Sequence, residues 1–426
     1  MRAGFMSKLY RLLCQWAIVL LLVFSITACG SSPSENITTL TLSGWQSSPV
    51  EKQLLEQLLR DFEATHPHIK VRYEVITDQY SDVIKTRLIG DAAPDIFYLD
   101  TLEAPLLMHR GVLEPLNRYI TPEFDLKDFQ PAMLNAFKYE GKIYGLPKDF
   151  STLALYYNTE FFQEAGLSEP PKTWAQLQEY SEKLTVRRNR DRRIQRYGYG
   201  MVPELTRQAF VIHAFGGQFV DRKGFAAFAQ PKALKGLAPV IEQYQQARTA
   251  GIPSDTGASN VSEMFGQGKA AMVLDGNWAI PYLQETFPRI SFAIAPVPTI
   301  NGKKGTMAFT VAYVMNKQST HKEEAWELIS YLTGKEGMKA WASGGLILPT
   351  RKSVLAELGY PNNPLYAPFV AGADYATLWQ AGENLSLINQ NFNNQFLSAL
   401  LGEQSLAEAM KKAQATANQE IKASLY

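Results

Sequence analysis

The sequence predicts an α/β protein of mainly parallel sheets flanked by helices, and three observations carry that prediction. Short β-rich runs alternate with amphipathic helical stretches, the pattern of parallel strands joined by helical crossovers. At 426 residues the chain is long enough for two or three packing units of roughly 100–200 residues each. Its 46% apolar and 19% charged residues are those of an ordinary globular chain, neither disordered nor many times membrane-spanning. The charges, 42 basic against 41 acidic, exclude the broad positive field that nucleic-acid binding needs. Aromatic residues at 12% can furnish sticky concave surfaces as well as cores.

The amino terminus is read apart from the fold. Arg2, Lys8 and Arg11 form a positive stretch, and Trp16 to Phe24 is an unbroken apolar run. A permanent membrane helix needs about 20 such residues, a secretory signal only about 7–15. The run meets Ile26-Thr27-Ala28-Cys29 and then Gly30-Ser31-Ser32-Pro33-Ser34. This resembles a bacterial lipobox, which implies cleavage before the cysteine and lipid on its thiol. Residues 1–28 are thus expected to be a lipoprotein signal peptide, Cys29 the first mature residue, and 29–35 a flexible tether. A chance cysteine behind a general secretion signal is the alternative. Cys14 falls inside the removable segment, so the mature chain is expected to hold no disulfide and no cysteine metal site. Losing three cations there leaves 39 basic against 41 acidic residues.

Beyond the tether, Thr39 to Gly44 alternates as a strand and ends at Trp45. Leu54, Leu55, Leu58, Leu59 and Phe62 then recur at helical spacing. Lys70 to Ile76 reads as a second strand, Tyr80 to Ile89 as a helix, and Pro94 to Leu99 as a third strand. Turns after parallel strands open on one sheet edge, so Trp45, Asp78-Gln79-Tyr80 and Asp100 are expected along one crevice, where such sheets bind ligands. Tyr139 to Pro147 reads as a hairpin bracketing a joint, after which Thr152 to Asn158 starts a new strand and a second unit. Thr173-Trp174-Ala175-Gln176 has the capping-box pattern and opens a helix to about Leu184. Arg187 to Arg196 carries six arginines; with no aromatics between them it reads as a solvated loop. A helix is expected over Pro231 to Ala250, further joints near Gly302 to Gly305 and near Arg351, and a last helix opened by the capping box Ser405-Leu406-Ala407-Glu408.

Six pieces, in order over about 80% of the chain, then match a known pattern: Ala93-Pro94-Asp95-Ile96, Tyr144 to Asn158, Phe161 to Trp174, Phe215-Gly216-Gly217 with Asp221, Phe265 to Trp278, and Leu348-Pro349-Thr350-Arg351. Together they resemble the extracellular solute-binding proteins of carbohydrate ABC importers, including those for maltose, trehalose and glycerophosphate. The resemblance implies a two-lobed (type II) periplasmic-binding-protein fold, joined by two or three crossing segments, with a sugar bound in the cleft. It suggests a first lobe at 36–147 plus 306–355 and a second at 148–305 plus 356–426. It also implies hinge closure on a di- or oligosaccharide or small glucoside, a monomer, no cofactor, importer permease subunits as partners, and a lipid anchor outside the cytoplasm.

A sugar presents C–H faces that pack on aromatic rings and hydroxyls that lose water on burial, so its site needs flat rings and fixed polar partners. Trp45 and Trp278 follow strand-like runs and match aromatic positions of the family; Trp379 matches less closely. Each could instead be a core residue. Carboxylates suit the polar rim because a charged acceptor strengthens a hydrogen bond and can take two hydroxyls. Asp100, Glu103 and Asp149 are the candidates, and Asp275 reads equally as a helix cap. Arg351 would offer paired planar donors to hydroxyls or an anion, or form a structural salt bridge. Tyr80, Tyr156 and Gly217 complete the set, Gly217 because a missing side chain lets backbone approach a ring.

Enzyme signatures are missing: there is no G-x-S-x-G elbow, Walker A loop or H-E-x-x-H, and the five histidines are scattered, so neither catalysis nor a metal is expected. A glycoside hydrolase needs only two facing carboxylates and stays open. So does a binding protein for a glycerophosphodiester or sugar phosphate, for which Arg351 would be required.

Overall fold

The computed structural model describes residues 37–46, 49–188, 194–345 and 347–424. The expected signal peptide, the tether and Cys29 lie outside the described residues, as does the middle of the arginine-rich run, 189–193. In chain order the elements that position the site begin with β1 (Thr38–Gly44), α1 (Pro49–Thr65), β2 (Ile69–Val75), α2 (Tyr80–Ile89), β3 (Ile96–Asp100) and α3 (Ala104–His109). The chain continues through β4 (Gly145–Asn158), α4 (Trp174–Leu184), β5 (Ile194–Gly200), α5 (Leu205–Ala214), α6 (Pro231–Gln245), β6 (Ala270–Gly276), β7 (Phe292–Ala295) and β8 (Thr306–Met315). It finishes with α7 (Lys322–Thr333), α8 (Lys335–Ala342), α9 (Leu385–Leu400) and α10 (Leu406–Ser424).

The first unit forms as its periodicities predict. Leu40 and Leu42 point inward from β1, and Leu55, Leu58, Leu59 and Phe62 make the buried stripe of α1 that covers them. β1 pairs in parallel with β2 from Thr38↔Ile69 to Gly44↔Val75, and with β3 at Leu42↔Ile96. All three strands therefore release their chains at one edge.

Strand order runs β2-β1-β3-β8-β4-β6-β5. The outer pairs β1–β2, β1–β3 and β5–β6 are parallel, whereas β4 and β8 are antiparallel to their neighbours β3 and β6 and to each other. The mainly parallel expectation thus holds for these three pairs, whereas the pairs β3–β8, β8–β4 and β4–β6 of the strands that cross between the two lobes, β7 beside β4, and Val186–Arg187 at the far edge beside β5 are antiparallel. Residues 145–152 of β4 pair with β8, and residues 153–157 pair with β6. The hairpin at Lys138–Tyr139 and Lys142–Ile143 forms, but the strand after it is continuous from Gly145, where the sequence suggested a break before Thr152. Pro147 is accommodated because the ladder shifts there: Val311 faces Asp149 and Ala312 faces Pro147, leaving Lys148 as an extra residue. Such a bulge is one of the few places a sheet tolerates proline.

The cores follow this division. One cluster joins β1, β3, α1, α7 and α8 through residues such as Phe62, Tyr98, Leu328 and Trp341. Another fills the space among α5, α6, α9 and α10, with Ile212, Leu237, Phe392 and Ala413. A third packs about the crossing, with Phe150, Tyr156, Leu348 and Phe369. Both capping-box helices start as read: Thr173 accepts the Gln176 amide at 3.2 Å, and Ser405 and Glu408 accept each other's amides, each at 3.2 Å. α6 stops at Gln245, short of Ala250, because Ala250–Gly251 pairs with Tyr199–Gly200 as a short strand.

Candidate ligand-binding cleft

The floor of the cleft is the bulge in β4. Consecutive strand residues normally point to opposite faces, yet the Lys148 ammonium reaches the Asp149 carboxylate of its own neighbour. The extra residue makes this possible, since a bulge turns two successive side chains toward one side. Both residues are buried. The ammonium lies 4.5 Å from the Trp341 ring centre and 4.8 Å from that of Tyr98, and Trp341 Nε1 donates to Asp149 Oδ2 at 3.3 Å. Burial pushes the Asp149 carboxyl above its ordinary value, with the adjacent ammonium pulling the other way. A cavity of about 360 Å³ opens over this floor. It is lined from the first lobe by Trp45 and Glu51, from the crossing strands by Asp149 and Thr310, and from the second lobe by Asn277 and Trp278.

The first-lobe wall is built at the carboxyl edge of β1, β2 and β3, where Trp45, Tyr80, Asp100 and Glu103 share one pocket as the crevice argument requires. The half-buried indole of Trp45 meets Tyr80 edge-on at 4.8 Å and Tyr98 at 5.3 Å. Tyr80 lines the pocket, but its hydroxyl is occupied: it lies 3.1 and 3.0 Å from the carbonyls of Ser43 and Tyr98 and accepts the Tyr98 amide at 2.9 Å. Its observed role is to tie strand ends together. Asp100 Oδ1 accepts the Glu103 amide at 3.0 Å, and Glu103 Oε1 lies 3.5 Å from the Lys85 ammonium.

Burial pushes the Asp100 carboxyl up to about 6 from an ordinary 3.8, the Glu103 amide opposing it and the Glu103 carboxylate adding to it. Below about pH 4 the folded and unfolded chains both hold this proton. As pH rises from about 4 to 6 the unfolded chain releases it first, so stability falls, and above about 6 a cost of the order of 3 kcal/mol is fully present. Asp100→Asn keeps an oxygen for the Glu103 amide and removes the charge. The variant is therefore expected to melt higher than the parent at neutral pH and equally with it near pH 4, as thermal melts at the two pH values will show.

The second-lobe wall centres on Trp278, which is 37% exposed and borders both the first cavity and a larger one of about 860 Å³. Phe309 meets the indole edge-on at 6.0 Å. The larger cavity also takes in Glu204, Arg207, Ser262 and Asp275. Asp275 is buried with both oxygens engaged: Oδ1 accepts from Arg207 Nη2 at 3.2 Å and from the Gly276 amide at 2.9 Å, and Oδ2 accepts from Ser262. It does not cap a helix, because the helix here begins only at Ala279.

Four expected site residues lie elsewhere. Arg351 is 1% exposed, and its guanidinium donates to the carbonyls of Thr333 (2.7 Å), Phe124 (2.9 Å) and Asp125 (3.2 Å) while sitting over the rings of Phe124 and Phe129. Nothing of it is left for a ligand. Trp379 is buried in the second-lobe core, stacked on Phe219 with ring centres 6.0 Å apart. Tyr156 is buried at the crossing, its hydroxyl donating to the Gly276 carbonyl at 2.6 Å. Gly217 does serve a close approach, but to a helix: a Cβ there would fall 2.8 Å from the backbone of Ala233 in α6. Sequence reasoning in turn missed Glu51, Lys148, Phe309, Glu204 and Arg207. The last two follow the carboxyl end of β5, the same kind of sheet edge that carries Trp45 and Asp100, and are legible from parallel connectivity in the same way.

A family model described as bacterial extracellular solute-binding protein matches residues 46–339. The chain belongs to that family. This solute-binding protein is 25% identical over 417 residues to a binding protein of Brucella abortus, covering 96% of this chain and 99% of that one. It is 26% identical to the maltotriose-binding protein of Pyrococcus abyssi over 78% of this chain and 70% of the other. Among solved structures, the ABC substrate-binding protein of Listeria monocytogenes in complex with cycloalternan superposes with a TM-score of 0.81 at 22% identity, covering 90% of this chain and 99% of that one. The two-lobed α/β fold is the one shared with that solved structure. Among the described residues no group of His, Cys, Asp and Glu is placed to hold a metal, and no helix is long and apolar enough to cross a membrane.

Proposed function

We propose that this solute-binding protein is the lipid-anchored receptor of an ABC importer, capturing an uncharged di- or oligosaccharide, or a small glucoside, between its lobes and passing it on unaltered. The observation that carries the reading is the pairing of two exposed or half-exposed indoles, Trp45 and Trp278, on the walls of one cavity whose floor is a buried carboxylate. Aromatic faces for C–H surfaces and fixed acceptors for hydroxyls are what a saccharide requires. The guests named for two similar proteins, maltotriose and cycloalternan, are of that class. The lobes correspond to 36–147 with 306–355 and 148–305 with 356–426. A guest touching both favours closure by its differential affinity, and the closed pair of lobe surfaces is what the permease subunits recognise. Lipid on Cys29 keeps the monomer at the membrane outside the cytoplasm.

A phosphorylated guest has no support in the geometry. Arg351, which that reading needs, is inaccessible. Among the described residues the cations lining these cavities are each already set against a carboxylate: Lys85 against Asp82 and Glu103, Lys148 against Asp149, and Arg207 against Asp275. The test is a thermal-shift screen of the mature protein against neutral oligosaccharides, glucosides, sugar phosphates and glycerophosphodiesters. A sugar at 100 times its dissociation constant stabilises the fold by about 2.7 kcal/mol. Chromatography of the recovered sugar must show it intact; cleavage would make the protein a glycoside hydrolase instead.

A further inference from the structure

We infer that Arg207 is a positioning residue of the cleft, holding the indole of Trp278 so that the face turned to the cavities is set before any guest arrives; this rests on the sugar-binding reading above. Arg207 stands in the first turn of α5, and its guanidinium carbon lies 5.7 Å from the ring centre of Trp278 and 5.9 Å from that of Phe309. One corner of the guanidinium is pinned by Asp275, which Ser262 and the Gly276 amide hold in turn. The other two nitrogens, Nε and Nη1, are buried and meet no hydrogen-bond acceptor. An arginine that served only as a counter-ion would have little reason to be steered against two aromatic rings with two donors unused, whereas a cation within about 6 Å of a ring is attracted to its π system.

The far side of the indole is fixed independently. A Cβ on Gly276 would fall 2.2 Å from Trp278 Cζ3, so the ring lies hard against the backbone at that residue. That peptide is itself anchored by the Tyr156 hydroxyl at 2.6 Å. Backbone, phenyl edge and guanidinium together leave the indole one free direction, toward the two cavities it borders. A ring held this way loses little freedom when a sugar stacks on it, which is how preorganisation raises affinity without a new contact.

The experiment compares the parent, Arg207→Met, Arg207→Lys and the double variant Arg207→Met with Asp275→Asn, with maltotriose and mannotriose as probes. Acrylamide quenching of Trp278, isolated by subtracting a Trp278→Phe background, is read beside titration calorimetry and melting, well below the melting point. Arg207→Met is expected to raise quenching at least twofold and weaken whichever probe binds by about threefold to thirtyfold, with Arg207→Lys in between. Arg207→Met alone also strands the buried Asp275 charge and lowers the melting point; the double variant restores melting but keeps the higher quenching and weaker binding. Recovery of all three in the double variant would overturn the inference, reducing Arg207 to a counter-ion for Asp275. So would unchanged quenching in Arg207→Met. If neither probe binds the parent, the choice of guest is at fault and the quenching series still decides the role of Arg207.

Discussion

Replacing Trp278 by alanine weakens the best-bound sugar at least tenfold and leaves the ligand-free melting point nearly where it was. The indole is 37% exposed although it is among the largest side chains in the protein, an arrangement that wastes apolar surface unless something covers it. Buried tryptophan platforms are among the strongest single contributors to binding, and tenfold corresponds to only about 1.4 kcal/mol. The stability effect is small because a partly exposed ring at the edge of a cavity leaves no sealed void when removed. Calorimetric titration of the screen's best sugar against both proteins, with melts of each, separates the two effects. A large drop in melting temperature with affinity retained would make Trp278 a structural residue.

Arg351→Met behaves in the opposite way, losing stability and keeping affinity. The substitution strands three backbone carbonyls that the guanidinium now satisfies and leaves Asp128 Oδ2, 3.5 Å away, without its cation. Breaking one side of a buried charged network costs about 3–5 kcal/mol. Burial already draws the Arg351 pKa below its ordinary value, with the Asp128 carboxylate pulling the other way. Denaturant melts will show the loss, and the dissociation constant of the same sugar, measured where both proteins are folded, is expected to be unchanged. A matching loss of affinity would return Arg351 to the cleft.

The contrast shows what one sequence discloses. The β1-α1-β2-α2-β3 stretch was legible because each element carries its own period, and parallel connectivity then places Trp45, Tyr80 and Asp100 at one edge without further information. Trp278 and Trp379 both offer themselves in the sequence as stacking rings, but one faces a cavity and the other stacks on Phe219. That difference is made by helices far away in the chain. Tyr156 was illegible for another reason: β4 is buried on both faces over nearly its whole length, so alternation does not tell which way a residue points. Arg351 takes two of its three carbonyl partners from positions more than 220 residues earlier, and no spacing rule reaches that far. Lys148 depends on a bulge, and the only trace of it is a proline one residue before, in a run otherwise fit for a regular strand.

Both cysteines of the chain, at positions 14 and 29, precede β1, so the part of the chain from β1 onward contains no sulfhydryl of its own. Its integrity depends on no disulfide, and no thiol oxidant or disulfide isomerase is required for it to refold. A thiol introduced on each lobe of a version begun after Cys29 would be the sole point of dye attachment there, which makes the distance between lobes directly readable.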